Sequence, residues 1–317
     1  VVGAVSAAAW PPPPPVRPYR FDFYLGVGHP NHLADSRVPL FISATTLAAR
    51  YKTEYQGQGH DWPVQTFGTR WAGDSGAYAA LMLGNGRRDH PWRRWPDDYG
   101  SMWVDFVEAV GHDSRELGPD FVGVQDWPCE PQVLAATGMT VRDHQELTTE
   151  NFCYLAEEFP FIPWLPTLQG WTPDDYVRHV EAYRAAGVDL AGERVGVGSV
   201  CRRGAQRDVA RVVGTIAGLG LGMRLHGFGV SINALRLCGH LLASADSQAW
   251  SATARRERLL LPGCEHPTRS GGRGDCRNCF RYAQVWRGEA LAAQESAGEA
   301  AVASAGAGQL ALFEVAG

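Results

Sequence analysis

No stretch of eighteen or more apolar residues occurs in the 317-residue chain, which excludes a helical membrane span. The apolar start Val1–Trp10 has no basic flank and runs into the prolines 11–15, so it does not read as a secretory signal, and a cytoplasmic protein is expected. A glycine-rich phosphate turn is also missing. Gly26-Val-Gly-His-Pro-Asn31 lacks the third glycine of the dinucleotide fingerprint, which weakens a nucleotide-binding open sheet. Lysine is nearly absent: Lys52 is the only one among 29 basic residues, so any contact with a polyanion falls to arginine. What is present is ordinary for a globular protein, with 45% hydrophobic and 20% charged residues, enough for one large core or two small ones.

The net charge of −5 does not mark the whole chain as a nucleic-acid binder. Its distribution is uneven. Between Ser251 and Gly288 eight arginines face three acids, a local +5 that leaves −10 elsewhere. A polyanion site and a solvated arginine-rich face account for this equally well. Seven cysteines make an odd count, and three of them fall within sixteen residues, a pattern of metal ligation rather than of a disulfide framework.

The proline-rich residues 1–18 read as a disordered tail and residues 289–317, rich in Ala, Gly, Ser and Glu, as a flexible one. Between them, β-prone runs alternate with helical stretches. The runs are 21–28, 39–43, 70–76, 120–126, 161–170, 194–200, 223–230 and 240–247. The clearest helix follows Thr172-Pro173-Asp174-Asp175, an N-cap, a first-turn proline and two first-turn acids. Strand and helix alternating over six or more units predict a parallel sheet and, most economically, a (β/α)8 TIM barrel over 19–262, followed by a small metal-binding segment and final helix over 263–288.

Active sites of that fold gather at the carboxyl ends of the strands. The candidate strand ends are Asp74, Asp126, Gln169, Gly198, His226 and Asp246. Three crowded carboxylates must diverge in role, as glycosyl transfer requires: one attacks the anomeric carbon and another handles protons. Metal-assisted hydrolysis competes, but only one histidine sits at a strand end. Asp126, Gln169 and the Gly196–Gly198 backbone offer acceptors and N–H donors that complement the edge of a guanine. Singly, each of these residues is more often structural, as a cap or a tight turn.

Asp74-Ser-Gly-Ala-Tyr78, Gln125-Asp126 with Cys129-Glu130-Pro131, Leu168-Gln169-Gly170, Val197–Arg203, Leu225-His-Gly-Phe-Gly229 and Ser244–Ser251 run in collinear order through most of the folded region. Together they resemble the queuine tRNA-guanine transglycosylase superfamily, and more closely its DNA-acting branch, the DpdA-type 7-deazaguanine DNA transglycosylases of phages and bacteria. The resemblance implies that Asp246 is the nucleophile and that Asp74, with Ser75 and Gly76, binds the base and shuttles a proton. It further implies that Asp126, Gln169, Gly196, Gly198 and Ser199 recognise the base, with His226 and Gly227 beside it. The implied activity exchanges guanine in DNA for a 7-deazaguanine such as preQ0 through a covalent aspartyl–deoxyribosyl intermediate, with no organic cofactor. Exchange in tRNA is the alternative, and a non-catalytic zinc-stabilised nucleic-acid-binding module is the alternative of another class. Ala77-Tyr78 stands where the superfamily usually has Gly-Phe.

Cys264-x-His266-x9-Cys276-x2-Cys279 supplies four ligands of the type and number that structural zinc requires. Cys129, Cys153, Cys201 and Cys238 have no ligating spacing and read as buried small hydrophobes. Arg202, Arg203, Arg255 and Arg256 are candidate nucleic-acid contacts, although the first two serve equally well to cap carbonyls. Several tryptophans fall in 91–103, a loop with rings available for base stacking, core burial being the plainer assignment. Gln309–Phe313 resembles the short peptide with which bacterial DNA enzymes bind the sliding clamp, and docking of this segment on its own barrel is an equal alternative.

Overall fold

The computed structural model describes residues 20–27, 36–47, 69–83, 96–111, 118–268, 272 and 274–314. The proline-rich tail expected over 1–18 lies outside them. Nine parallel strands form one sheet: β1 (Asp22–Val27), β2 (Leu40–Ser43), β3 (Trp71–Asp74), β4 (Val122–Gly123), β5 (Trp164–Leu165), β6 (Thr167–Leu168), β7 (Arg194–Val197), β8 (Arg224–Gly227) and β9 (Ser244–Ser247). Their order is β5-β4-β3-β2-β1-β9-β8-β7-β6. The two ends of this order are neighbours in the chain, separated only by Pro166, which has no N–H for the ladder. The sheet therefore comes round on itself through residues 164–168, and the barrel expected from the alternation of strands and helices is present.

Helices follow the strands: α1 (Ala77–Leu83), α2 (Pro96–Gly111), α3 (Pro131–Thr137), α4 (Val141–Glu158), α5 (Pro173–Ala185), α6 (Gln206–Ala217), α7 (Ile232–Cys238), α8 (Ala249–Glu257) and α9 (Phe280–Glu314). Period-two alternation divides each strand's residues between two cores. Phe23, Leu25 and Val27 of β1 face the helices and join the main core, whereas Tyr24 joins Phe41, Ala72, Phe121 and Leu165 in a small aromatic cluster inside the barrel. The amino-terminal end is tied by ions: Arg70 grips Asp22 with two bonds of 2.9 and 3.0 Å, and Tyr24 Oη donates to Asp120 at 2.6 Å.

Two expectations are corrected. Residues 96–111 are helix rather than loop, while Trp103, buried against Trp71 with ring centroids 6.3 Å apart, takes the core place that was its plainer assignment, and Trp92 and Trp95 lie outside the described residues. The segment from 289 onward, expected to be a flexible tail, continues α9 to Glu314, with Ala290, Ala293 and Ala297 buried. Alanine is the strongest helix former and its small side chain permits close approach, which the low hydrophobicity of this segment concealed. Gln309–Phe313 falls in the last turns of this helix.

The Thr172 N-cap is present as a capping box: its hydroxyl accepts from Asp175 N–H, and Asp175 Oδ2 accepts from the backbone N–H of Thr172. Replacing Thr172 with Ala removes one half of this box and is expected to lower stability by about 1 kcal/mol. A shifted urea midpoint with an unchanged slope checks this.

Candidate active site

At the carboxyl end of the barrel Asp74 closes β3, Asp126 follows β4 by three residues, Gln169 follows β6 directly and Asp246 is the third residue of β9. The turn after Asp74 depends on Gly76, whose φ of +68° favours glycine and where a Cβ would run into Ser43 and Thr45. That turn lets the Ser43 hydroxyl and the Gly76 N–H both serve the Asp74 carboxylate. Asp246 Oδ1 accepts from Gly229 N–H at 2.9 Å. Asp126 accepts from the Ser75 hydroxyl at 2.5 Å on one oxygen and from Gln169 Nε2 on the other.

Burial raises all three carboxyls above the ordinary aspartate value. Asp74 moves to about 6, with the charge of Asp246 adding to burial. Asp126 moves to about 7 by burial, with the charge of Asp74 adding to it and the Ser75 and Gln169 bonds opposing. Asp246 moves to about 7 by burial, opposed by the Gly229 N–H. The charge couplings, Asp246 on Asp74 and Asp74 on Asp126, place the three in one electrostatic site.

Around Asp126 the side chains form a buried chain. Ser199 Oγ lies 2.7 Å from Gln169 Oε1 and 2.9 Å from Glu130 Oε2, and it accepts from Cys129 N–H at 2.7 Å. Ser199 holds a left-handed φ of 52°, a conformation that costs a non-glycine residue about 1–2 kcal/mol and that these bonds hold in place. Gly198 is needed beside it because a Cβ would overlap the Gln169 amide. The open N–H donors expected at Gly196 and Gly198 are absent: the first donates to Pro166 O at 2.8 Å and the second to Leu168 O at 2.9 Å, both within the barrel ladder. Gly196 serves instead to admit the Phe228 ring.

His226 is fully buried, one residue inside the end of β8. It sits below the site among Tyr24, Phe41, Phe121 and Phe228, and burial holds it neutral. Its Nδ1 lies 3.0 Å from Ser244 Oγ, and its Nε2, without a hydrogen bond, lies 3.4 Å from Asp246 Oδ1. Gly227, next in the strand, is packed against Val230 and Leu242. A neutral ring at that distance is a contact, not an ion pair.

The arginine candidates divide. Arg203 spends its donors on Ser199 O, Trp171 O, Gly170 O and Tyr176 Oη, at 2.8 to 3.3 Å, and stacks on Trp171, so it clasps the loops after β6 and β7 to one another. Arg202 is exposed, with its guanidinium 3.7 Å over the Tyr78 ring. That ring fills the place where the superfamily usually has phenylalanine. Arg255 and Arg256 are exposed at the end of α8, where Arg256 pairs with Glu257 at 3.2 Å. Of the four cysteines expected to be buried, Cys129 and Cys238 are, Cys153 is half-buried and Cys201 is exposed.

The ligand atoms of Cys264, His266, Cys276 and Cys279 all lie within 4.8 Å of one another. Cys264 Sγ and Cys279 Sγ are 3.9 Å apart, close to the edge of about 3.8 Å of a tetrahedron with metal–sulfur bonds of about 2.3 Å. His266 Nε2 is buried without a partner, as a ligand nitrogen is before it meets a metal. The cluster fits a metal ion. No helix among the described residues is long and apolar enough to cross a membrane.

The chain is thus a parallel α/β barrel with buried carboxyls at its carboxyl mouth and, beyond its last strand, a Cys/His cluster that could hold a metal ion. The family model described as DeoxyPurine in DNA protein A, DpdA, matches residues 19–312, and the chain belongs to that family, whose members are tRNA-guanine transglycosylase-like enzymes of DNA modification. No curated protein matches the chain.

The raised carboxyls have a consequence for stability. Each binds its proton more tightly in the folded chain than at the unfolded value of 3.8, so the contribution of these carboxyls to stability falls as the pH rises from about 4 to about 7 and levels off above. Asp246→Asn removes one such penalty. Its melting temperature is expected to exceed that of the wild type at pH 8 and to equal it near pH 4, which thermal scans across this range check.

Proposed function

We propose that this chain exchanges guanine in DNA for a 7-deazaguanine base by double displacement through Asp246. The observation that carries the reading is the placement of Asp246 and Asp74, electrostatically coupled at one mouth, beside an acceptor, Asp126, that is already oriented by Ser75 and Gln169. An Asp246 oxygen forms a bond to C1′ while the C1′–N9 bond breaks, and the departing guanine takes the bonding pair at N9 and the proton of the Asp74 carboxyl. The incoming base surrenders its N9 proton to Asp74, and its nitrogen then displaces Asp246 from C1′, so the proton count is unchanged over the cycle. Gly229 N–H, bound to Oδ1, leaves Oδ2 as the attacking oxygen. An Asp246 carboxyl near 7 is half ionised at neutral pH, a nucleophile kept basic by its burial.

Asp126 accepts the N1–H and 2-amino donors that guanine and 7-deazaguanine share. The target base must leave the stack at a cost of a few kcal/mol, which contacts of Arg202 on the rim, and of Arg255 and Arg256 on the Arg-rich segment, help to offset. Cys264, His266, Cys276 and Cys279 hold zinc. Four protein ligands leave no open position, so the metal is structural and fastens the chain that follows the Asp246 strand. Gln309–Phe313, at the end of α9, is the candidate contact for a sliding clamp.

Release of labelled guanine from duplex DNA, single-stranded DNA and tRNA, tested in parallel with preQ0 as the incoming base, is expected on DNA. Release on tRNA alone moves the activity to that substrate, and tight salt-dependent binding without release identifies a binding module. Asp246→Asn is expected to abolish both release and the covalent adduct seen on denaturing gels. An adduct that persists in this variant assigns the nucleophile elsewhere. Elemental analysis is expected to find one zinc per chain, and its removal by a chelator to lower the melting temperature.

A further inference from the structure

Glu130 is buried, 1% exposed, directly after Cys129 in the segment that follows β4. Its Oε2 lies 2.9 Å from Ser199 Oγ. That hydroxyl has one proton to give and two lone pairs to receive with. One lone pair accepts from Cys129 N–H at 2.7 Å. Gln169 presents Nε2 to Asp126, so its acceptor Oε1 faces Ser199 at 2.7 Å and takes the serine proton. What remains between Ser199 and Glu130 is a lone pair on one side and a carboxyl oxygen on the other. Two bare acceptors at that distance in a buried site repel. A proton on Glu130 turns the contact into a hydrogen bond and leaves every group in the chain satisfied.

We infer that Glu130 is a neutral carboxylic acid that, through Ser199, locks the Gln169 amide in the orientation presenting N–H to Asp126, and is thereby a positioning residue for recognition of the base. The inference rests on the proposed role of Asp126 as the acceptor of the base edge. Burial raises the Glu130 carboxyl above its ordinary value, with the Ser199 hydroxyl and the charges of Arg202 and Arg203 opposing. Arg203 directs its own hydrogen bonds to carbonyls and to Tyr176, and Arg202 lies over Tyr78, so their influence on Glu130 is through space.

The lock has a consequence for the class of base. With the amide held, Asp126 stays an acceptor on both oxygens and suits an edge that carries two adjacent donors, an N1–H and a 2-amino group. Were the amide to turn over, its carbonyl would face Asp126, which would then need a proton and would lose one acceptor. Guanine-type bases would lose their advantage over hypoxanthine, which lacks the second donor.

Infrared difference spectroscopy of the whole protein at pH 7 is the direct test, comparing the wild type with Glu130→Gln and Asp126→Asn in the carbonyl band of protonated carboxylic acids. A component lost in Glu130→Gln and kept in Asp126→Asn is expected. No component lost in Glu130→Gln, or one lost only in Asp126→Asn, overturns the inference, the second outcome assigning the proton to Asp126. This readout needs no catalysis, so it stands even where base exchange fails in every variant and the proposed function falls. In the exchange assay, Glu130→Gln, whose amide N–H donates to Ser199 as the acid does, is expected to stay within about threefold of the wild type. Glu130→Leu is expected to raise KM for the incoming base by about 10- to 100-fold, with a smaller change in kcat. An unchanged KM in Glu130→Leu overturns the positioning role.

Discussion

Asp126 keeps a carboxylate only 6% exposed at the mouth of a barrel whose interior is aromatic, and a buried acid must be either protonated or supplied with donors. The surrounding structure answers that requirement. Ser75 and Gln169 provide the donors, Gly198 leaves room for the amide, and Ser199 accepts a left-handed backbone so that its hydroxyl reaches the other end of that amide. Arg203 then spends its fork on the carbonyls of the same loops, which fixes their separation. A network of this kind has value only when complete, because a partly satisfied buried chain costs more than an apolar one.

The three mouth carboxylates are held at different depths of commitment. Asp74 has a serine and a glycine N–H in a tight turn, Asp126 has two side-chain donors, and Asp246 has a backbone N–H with a neutral imidazole behind it. Burial raises all three toward neutral pH, and each meets a different set of donors. The aromatic cluster beneath them supplies the burial that raises all three. Fold and chemistry are thus joined by one feature, an apolar barrel interior that ends at a ring of acids.

Beyond the last strand the arginine-rich segment buries Trp250, Cys276, Tyr282 and Trp286 against the core. The Cys/His cluster gathers the chain locally, and α9 ties it to the barrel at long range: Trp286 meets Phe23 of β1 with ring centroids 5.9 Å apart, and Arg287 Nε donates to Phe23 O at 3.1 Å. On the other flank of the barrel's first strand, Trp250 Nε1 of α8 donates to Gly26 O at 2.9 Å. The first strand is thereby held by both helices from outside as well as paired with the last strand within the sheet.

Much of this was legible in the residues alone. The eight β-prone runs contain all nine strands, with 161–170 divided at Pro166, and the Thr172 cap and the spacing of Cys264, His266, Cys276 and Cys279 are local patterns that depend on neighbours within a few positions. What the sequence misassigned was decided at a distance. Glu130 is an ordinary acid after a cysteine until the loop after β7, 69 residues on, brings Ser199 against it. His226 ends beneath the site and not in it because β8 turns that side chain toward Phe121 and Phe228. The glycine N–H groups were not free, since ladder partners come from other strands. Residue order determined the strands, the caps and the ligand set, since these follow from local backbone preference and spacing. Which acids share a site, which are protonated and which hydrogen bonds remain for a substrate was decided only by closure of the barrel, because burial and charge coupling depend on neighbours that the chain brings together only when it folds.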